Sequence, residues 1–338
     1  MRLLKNTSFL ILAGILLYAC KQQVVQPDTL ADFGVTADSS KAPGDTAYYT
    51  LGSKATFNFT GNPFTITFFS GEPGHQYIYR SRTTAQGTSK LVFTNALNAG
   101  AQTGSLRVML STDFKGVALS TSKNVIGNPV TATDTATTIA NIAAATWTDI
   151  TPTNLATSAT AVTSTIDLTS YASAGKPVFI AFKYTAQQGS IQNKWTITNV
   201  SVSNALPDGT QYTIANLNAS ATPIVNYGTN TYSPGWVSYT PANSYNWVVT
   251  AGTSLVITGA STASAATANA EAWAFMGSID LSKVSPDAGV AVKGISALPA
   301  AYQYLYTAKG SYAATFLATN NSQYTTDSVI KVMPVVIR

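Results

Sequence analysis

Apolar and polar residues alternate along much of this chain. A period of two runs through Ala55-Thr56-Phe57-Asn58-Phe59-Thr60, Phe64-Thr65-Ile66-Thr67-Phe68-Phe69 and Trp195-Thr196-Ile197-Thr198-Asn199-Val200-Ser201-Val202. It returns in Ser254-Leu255-Val256-Ile257 and Tyr312-Ala313-Ala314-Thr315-Phe316-Leu317. Such alternation, rich in Thr and aromatics, predicts strands with one buried face. Gly61-Asn62-Pro63, Pro73-Gly74, Pro207-Asp208-Gly209, Pro234-Gly235 and Ala251-Gly252 separate them as turns. Long helical periodicity is missing; the Ala-rich stretch Ala263–Ala274 predicts one or two helical turns at most. Many short strands with regular turns imply sandwiches, not a parallel sheet with crossover helices. Thr131–Thr165, built largely of Ala, Thr, Ser and Asn, reads as a long surface loop or as an edge-strand pair around Trp147-Thr148-Asp149-Ile150. Ile166-Asp167-Leu168-Thr169 and Ile279-Asp280-Leu281-Ser282 echo each other. Each Asp would close a strand by accepting a nearby backbone N–H, and chance recurrence is the other reading.

The N-terminus departs from this pattern. Arg2 and Lys5 precede the apolar run Phe9 to Tyr18, which is shorter than the ~20 apolar residues a spanning helix needs and suits the core of a signal peptide. Leu17-Tyr18-Ala19-Cys20 resembles a bacterial lipobox, with a bulky Tyr18 where a small residue is usual. Residues 1–19 are therefore read as a lipoprotein signal peptide, Cys20 as the acylated mature N-terminus and residues 20–29 as a polar linker. Two acyl chains would give stable anchoring, at about 0.8 kcal/mol per buried CH₂.

Composition narrows the chemistry. The chain has 338 residues, enough for roughly two domains. Only 10% of residues are charged, well below the ~25% usual in globular proteins. Removing residues 1–19 takes Arg2 and Lys5 from the 19 basic residues, leaving 17 against 14 acidic ones and a net charge of +3. That sparse charge argues against a nucleic-acid partner. One Cys excludes a disulfide scaffold, and one His, His75, excludes a multi-histidine metal site.

His75 follows Pro73-Gly74 and lacks the nucleophile and orienting acid a catalytic histidine needs. It reads as a turn-packing residue, with Glu72 reaching a backbone N–H or Arg80. Glu72 and Glu271 are the only glutamates, so a glycosidase pair would have to draw on Asp113, Asp149, Asp167, Asp208, Asp280 or Asp287, each in a turn-like context. No catalytic residue is assigned and the chain is read as not an enzyme. Aromatic rings are the stronger signal, because Trp and Tyr bind the apolar faces of sugars without charge. Trp236, Tyr239, Tyr245 and Trp247 form the expected platform, with Asn243 and Asn246 as hydrogen-bonding partners. The competing reading for Trp247 is core. Trp195 and Trp273 are read as core. Thr29, Thr46, Thr135 and Ser328 each follow an Asp and precede an apolar residue, a pattern that resembles the O-glycosylation acceptor of exported Bacteroidota proteins.

Three blocks carry a wider resemblance. The first is Thr56-Phe57-Asn58-Phe59-Thr60-Gly61-Asn62-Pro63 with Ile66-Thr67-Phe68-Phe69-Ser70-Gly71-Glu72-Pro73-Gly74-His75-Gln76-Tyr77. The last, Tyr304 to Asn320, resembles the closing half of a PKD-type immunoglobulin-like domain. Between them, Ile166 to Leu168, Pro177 to Tyr184 and Lys194 to Val200 resemble a galactose-binding-like jelly roll. Together the chain is similar to a family of Bacteroidota surface lipoproteins, a domain of unknown function found beside SusC/SusD-type glycan-uptake systems. The expected fold is all-β: an Ig/PKD-like sandwich, residues 30–80 and 300–338, with a jelly-roll sandwich, residues 81–299, inserted into it. Two domains in series is the alternative.

The resemblance implies a lipid-anchored outer-membrane protein, exposed at the cell surface, that captures a polysaccharide or oligosaccharide without cleaving it and works beside a SusC/SusD-like complex. A structural or adhesive envelope protein with a protein partner is the alternative, and an Asp-dependent glycoside hydrolase the third. No cofactor is expected. The resemblance leaves room for one structural calcium ion, with Asp208 and Asp287 as carboxylates.

Overall fold

A computed structural model describes residues 30–39, 44–123, 129–133, 135–172, 176–217, 236–242, 245–250, 252–294, 299–321 and 326–338. The expected signal peptide and linker, with Cys20 and Thr29, and Asn243 lie outside the described residues. The strands begin with β1 Gly34–Ala37, β2 Ala47–Tyr49, β3 Lys54–Thr60, β4 Thr65–Phe69, β5 Thr88–Ala99, β6 Leu106–Ser111, β7 Leu119–Lys123 and β8 Pro129–Thr133. After helix α1, Thr135–Ala144, come β9 Thr148–Asp149, β10 Val162–Asp167, β11 Val178–Ala186, β12 Lys194–Ala205 and β13 Gln211–Asn216. The last are β14 Trp236–Ala242, β15 Val248–Thr250, β16 Ser254–Thr258, β17 Ala270–Ile279, β18 Val290–Lys293, β19 Ala301–Leu305, β20 Gly310–Asn321 and β21 Thr326–Ile337. The fold is all-β.

Two compact units divide the chain: Met1–Arg80 with Ala288–Arg338, and Ser81–Asp287. β18, which the sequence reading put in the second part, pairs with β4 through Val290↔Phe68 and Ala291↔Thr67. The second unit thus ends at 287, not at 299.

In the first unit a three-stranded sheet, β1-β3-β19, accompanies a five-stranded one, β18-β4-β20-β21-β2. The alternation in β3 and β20 sends Phe57, Phe59, Phe316 and Ala318 into one core with Ile66 and Phe68. Phe316 meets Phe57 at 5.0 Å and Phe68 at 4.9 Å between ring centroids, distances at which aromatic pairs add to plain area burial. Glu72, buried, is the polar hub of this unit. It accepts hydrogen bonds from Tyr304 Oη (2.5 Å), the Thr307 amide (3.2 Å), Thr307 Oγ1 (3.1 Å) and Ser70 Oγ (3.4 Å). Gly71 beside it has φ +84°, and a Cβ there would lie 2.7 Å from the Ala313 amide nitrogen. Both facts restrict the position to glycine. The buried Lys293 donates to the carbonyls of Pro63, Phe64 and Gly294, and burial pushes its amine below the usual value.

Tyrosines gather here too. Burial raises the phenol pKa of Tyr49, Tyr302, Tyr304, Tyr306 and Tyr312, with Asp38 adding to the effect at Tyr49 and Glu72 at the last three. Above about pH 10 the unfolded chain loses these protons while the folded chain keeps them. Their contribution to stability is therefore present below pH 10 and is lost as pH rises past it. Urea midpoints measured from pH 8 to pH 11.5 are expected to hold and then fall steeply beyond pH 10; a flat profile would contradict the burial of these phenols.

The second unit is a sandwich of two sheets with a separate two-stranded sheet, β7-β8, beside them in sequence. One sheet runs β10-β5-β12-β16-β15, with β13 also on β12; the other runs β14-β17-β11-β6-β9. Leu91, Phe93, Trp195, Ile197, Leu255 and Ile257 from the first join Val108, Leu110, Ile180, Phe182, Ala274 and Met276 from the second in one core. β12 shows how the sequence steers this. Trp195 and Ile197 are buried at odd positions, Val200 and Val202 at even ones. A bulge between Thr198 and Ser201, with Asn199 at φ +53°, absorbs the change of parity. The two Asp echoes are both strand ends. Asp167 accepts the Thr169 amide at 2.8 Å and Asp280 the Ser282 amide at 2.9 Å. At the two chain ends of the unit Arg82 pairs with the buried Asp287 at 2.9 Å.

Thr131–Thr165 is not one loop: it holds α1, β9 and part of β10. Its alanines suit a helix, and α1 is pinned where Thr138 Oγ1 accepts the Ala118 amide (3.0 Å) and Asn141 donates to the Gly116 carbonyl (3.0 Å). The short strand β9 realises the edge-strand alternative, pairing with β6. Ala263–Ala274 contains no helix: its first half is turn and irregular chain, and from Ala270 it is β17, which is hydrogen-bonded to β14 and β11 on its two sides and nearly all buried. Tertiary pairing there overrides the helix preference of alanine.

Candidate functional site

The expected aromatic platform does not form. Trp236 and Trp247 are 1% and 2% exposed and belong to the core between the sheets. Pairing of Trp236 with Met276 fixes the first ring on the inner face, where it stacks on Phe182 at 5.7 Å and 20°. Trp247 Nε1 donates to the Ala272 carbonyl at 3.3 Å. Tyr239, three positions after Trp236, faces outward, but is buried and donates to the Thr135 carbonyl at the start of α1. Tyr245 is half-buried against the core, and Asn246 is exposed and accepts a hydrogen bond from Thr240 Oγ1. Trp195 and Trp273 are buried.

A different set of groups meets on the outer face of the second sheet. Register places Arg107, Lys183, Trp273 and Tyr239 in one row across β6, β11, β17 and β14. Met109, Ala181 and Phe275 form the next row, and Thr185 with Glu271 the row on the other side. α1 and Trp147 cover part of this face, packing on Phe114, Trp273 and Phe275. Trp147 and Trp273 lie 5.0 Å apart at 48°. Trp147 donates its Nε1 proton to the Ile142 carbonyl at 3.1 Å, at the end of α1. Of the five tryptophans it is the half-buried one, and the other four are buried.

Charge is placed beside these rings. Lys183 Nζ lies 4.9 Å from the Trp273 ring centroid and 3.5 Å from Glu271 Oε2. Trp273 Nε1 donates to Glu271 Oε1 at 2.8 Å. The carboxylate is thereby held in one orientation with acceptor capacity to spare. A cavity of about 380 Å³ opens here, lined among others by Met109, Ile142, Trp147, Lys183, Glu271 and Trp273. That is within the size of ordinary ligand sites, and its mixture of apolar wall and a few fixed polar groups is what such sites need.

A family model for a domain of unknown function, DUF5017, matches residues 19–222. The chain belongs to this family. No curated protein and no solved structure matches it. The DUF5017 match takes in Arg107, Trp147 and Lys183, while Glu271 and Trp273, which complete the cavity, lie beyond it.

The remaining candidates are engaged elsewhere. His75 lies at a turn, with Nδ1 2.7 Å from the Ala288 carbonyl. Glu72 does reach a backbone N–H, that of Thr307. The calcium donor set does not fit: Asp287 faces a guanidinium and Asp208 accepts the Thr210 amide in its own turn. Among the described residues no three His, Cys, Asp or Glu side chains gather. Hydrogen bonds from Ser111 and Thr146 hold the Asp113 carboxyl below its usual value. At Asp149 burial raises the pKa, but bonds from the Thr151 hydroxyl and amide and from Arg107 outweigh it and leave the value lowered. Thr135 and Ser328 are exposed and Thr46 half-buried.

No local pattern in the sequence joins Trp147, Lys183 and Glu271, although Lys183 and Glu271 each stand out. Lys183 follows directly on the uncharged apolar run Val178-Phe179-Ile180-Ala181-Phe182, and Glu271 is one of two glutamates in the chain.

Proposed function

We propose that this protein is a non-catalytic, lipid-anchored surface protein that captures glycan for an uptake system, and that glycan binds in the Trp147 cavity. The observation that carries this reading is the meeting of a half-buried indole with a fixed carboxylate and an amine in one cavity. An indole face takes the C–H face of a sugar ring, and a carboxylate with an amine takes its hydroxyls. On the same reading Cys20 carries the lipid anchor at the outer membrane, and the partner is a SusC/SusD-like complex. The first unit is then the PKD-like sandwich and the second the jelly roll. Burial of the other four tryptophans favours a second reading, a structural or adhesive protein that holds a protein partner.

Affinity gel electrophoresis against neutral and acidic polysaccharides separates the two. The proposal expects retardation by at least one polysaccharide, without release of reducing ends. Trp147→Ala is expected to weaken binding by roughly tenfold or more, the loss of about 1.4 kcal/mol. A thermal melt of the variant guards against unfolding, and Glu271→Gln, which keeps an acceptor for Trp273, is expected to weaken binding with the fold unchanged. No retardation by any polysaccharide would leave the structural reading standing.

A further inference from the structure

We infer that the site, on the reading just proposed, is a trough for an extended, uncharged glycan chain and not a pocket for one sugar. Three cavities of the second unit share walls. Glu271 lines both the Trp147 cavity and a neighbour of about 480 Å³. That neighbour shares Gln102, Thr103, Gly104 and Arg107 with a third, of about 470 Å³, whose lining includes Trp195 and Thr153. The register explains the sequence of cavities. Lys183 and Glu271 lie on adjacent rows, Arg107 lies across from Lys183, and the chain then turns at residues 100–105 around the end of the sheet.

The far end is built as firmly as the near one. Asn193, fully buried, donates to the Gln102 carbonyl (2.7 Å) and to Ser105 Oγ (2.6 Å), and accepts the Gln102 amide (3.0 Å). Trp195 Nε1 also donates to Ser105 Oγ, at 2.9 Å. Gly100, at φ +81°, leaves room for Asn193, whose Oδ1 would sit 2.2 Å from any Cβ there. A turn fixed in this way loses little further freedom when a ligand is seated. Charge along the trough is balanced. Arg107 is paired with Asp149 and Lys183 with Glu271, so a polyanion would meet carboxylates wherever it meets a cation. A neutral chain finds hydroxyl partners along it in Glu271, Arg107, Thr103 and Thr153, beside a Gln102 amide held by the Thr185 carbonyl and the Gln187 N–H.

The test is calorimetric titration with oligosaccharides of one to six rings cut from the polysaccharide that retards the protein most. Affinity is expected to rise at least tenfold, roughly, from two rings to four and then level off. Arg107→Ala, at an exposed ion pair whose loss costs the fold little, is expected to weaken the four-ring ligand more than the two-ring one. Equal affinity for two and four rings would overturn the trough, and so would an equal loss on both in Arg107→Ala, with glycan capture itself left standing. Polygalacturonate bound more tightly than every neutral polysaccharide would overturn the uncharged ligand. Failure of every glycan to bind would remove the proposed function and the trough with it.

Discussion

Trp236→Ala is expected to lower the unfolding free energy by about 4 kcal/mol, the cost of truncating a fully buried large aromatic and leaving a cavity. The ring is 1% exposed, stacks on Phe182 and sits in the core between the two sheets. Among the described residues its Nε1 has no hydrogen-bond partner. That detail sharpens the expectation. Trp236→Phe removes an unsatisfied buried donor along with some volume, and the two effects oppose each other. The Phe variant should therefore cost about 1 kcal/mol, far less than the Ala variant. Urea unfolding of both proteins checks it. Equal, small losses in the two would mean that the indole is not the core residue described here.

Glu72→Ala is expected to destabilise the first unit by about 3 kcal/mol, because hydrogen bonds to a buried charged acceptor are worth more than neutral ones. The substitution removes the acceptor shared by the Tyr304 hydroxyl, the Thr307 amide and hydroxyl and the buried Ser70 hydroxyl, of which the exposed Thr307 alone can turn to water. It also frees the Ser70–His75 turn, whose Gly71 amide donates to the His75 carbonyl at 3.0 Å. Glu72→Gln keeps an acceptor and is expected to lose less than half as much. Urea unfolding followed by near-ultraviolet dichroism, to which the Tyr302–Tyr312 cluster contributes, measures both. A Glu72→Ala protein as stable as the parent would contradict the hub.

The sequence made the strands legible wherever alternation was local. Phe57 and Phe59, or Leu255 and Ile257, need only their own neighbours to declare a buried face. Even the bulge in β12 was written in the shift from odd to even apolar positions around Asn199. What the sequence hid was decided at long range. Trp236 and Tyr239 resemble an exposed pair until β14 takes its register from β17, which turns one ring inward and lays the other under α1. Ala270–Ile279 has helix-forming alanines and becomes a central strand because neighbours on both sides claim its hydrogen bonds. The candidate site joins Trp147, Lys183 and Glu271 from three distant segments. No spacing rule links them; only the order of strands β17-β11-β6-β9 does.

The most direct test of glycan capture on the outer sheet face uses the tryptophans themselves. Four of the five are at most 4% exposed, while Trp147 is only half-buried and lines the cavity. Acrylamide should therefore quench one accessible fraction of the fluorescence, and Trp147→Phe should remove it. Titrating the retarding oligosaccharide into the parent protein is predicted to protect that fraction in step with binding. Full binding with quenching unchanged would contradict the account, for the sugar would then be seated away from Trp147.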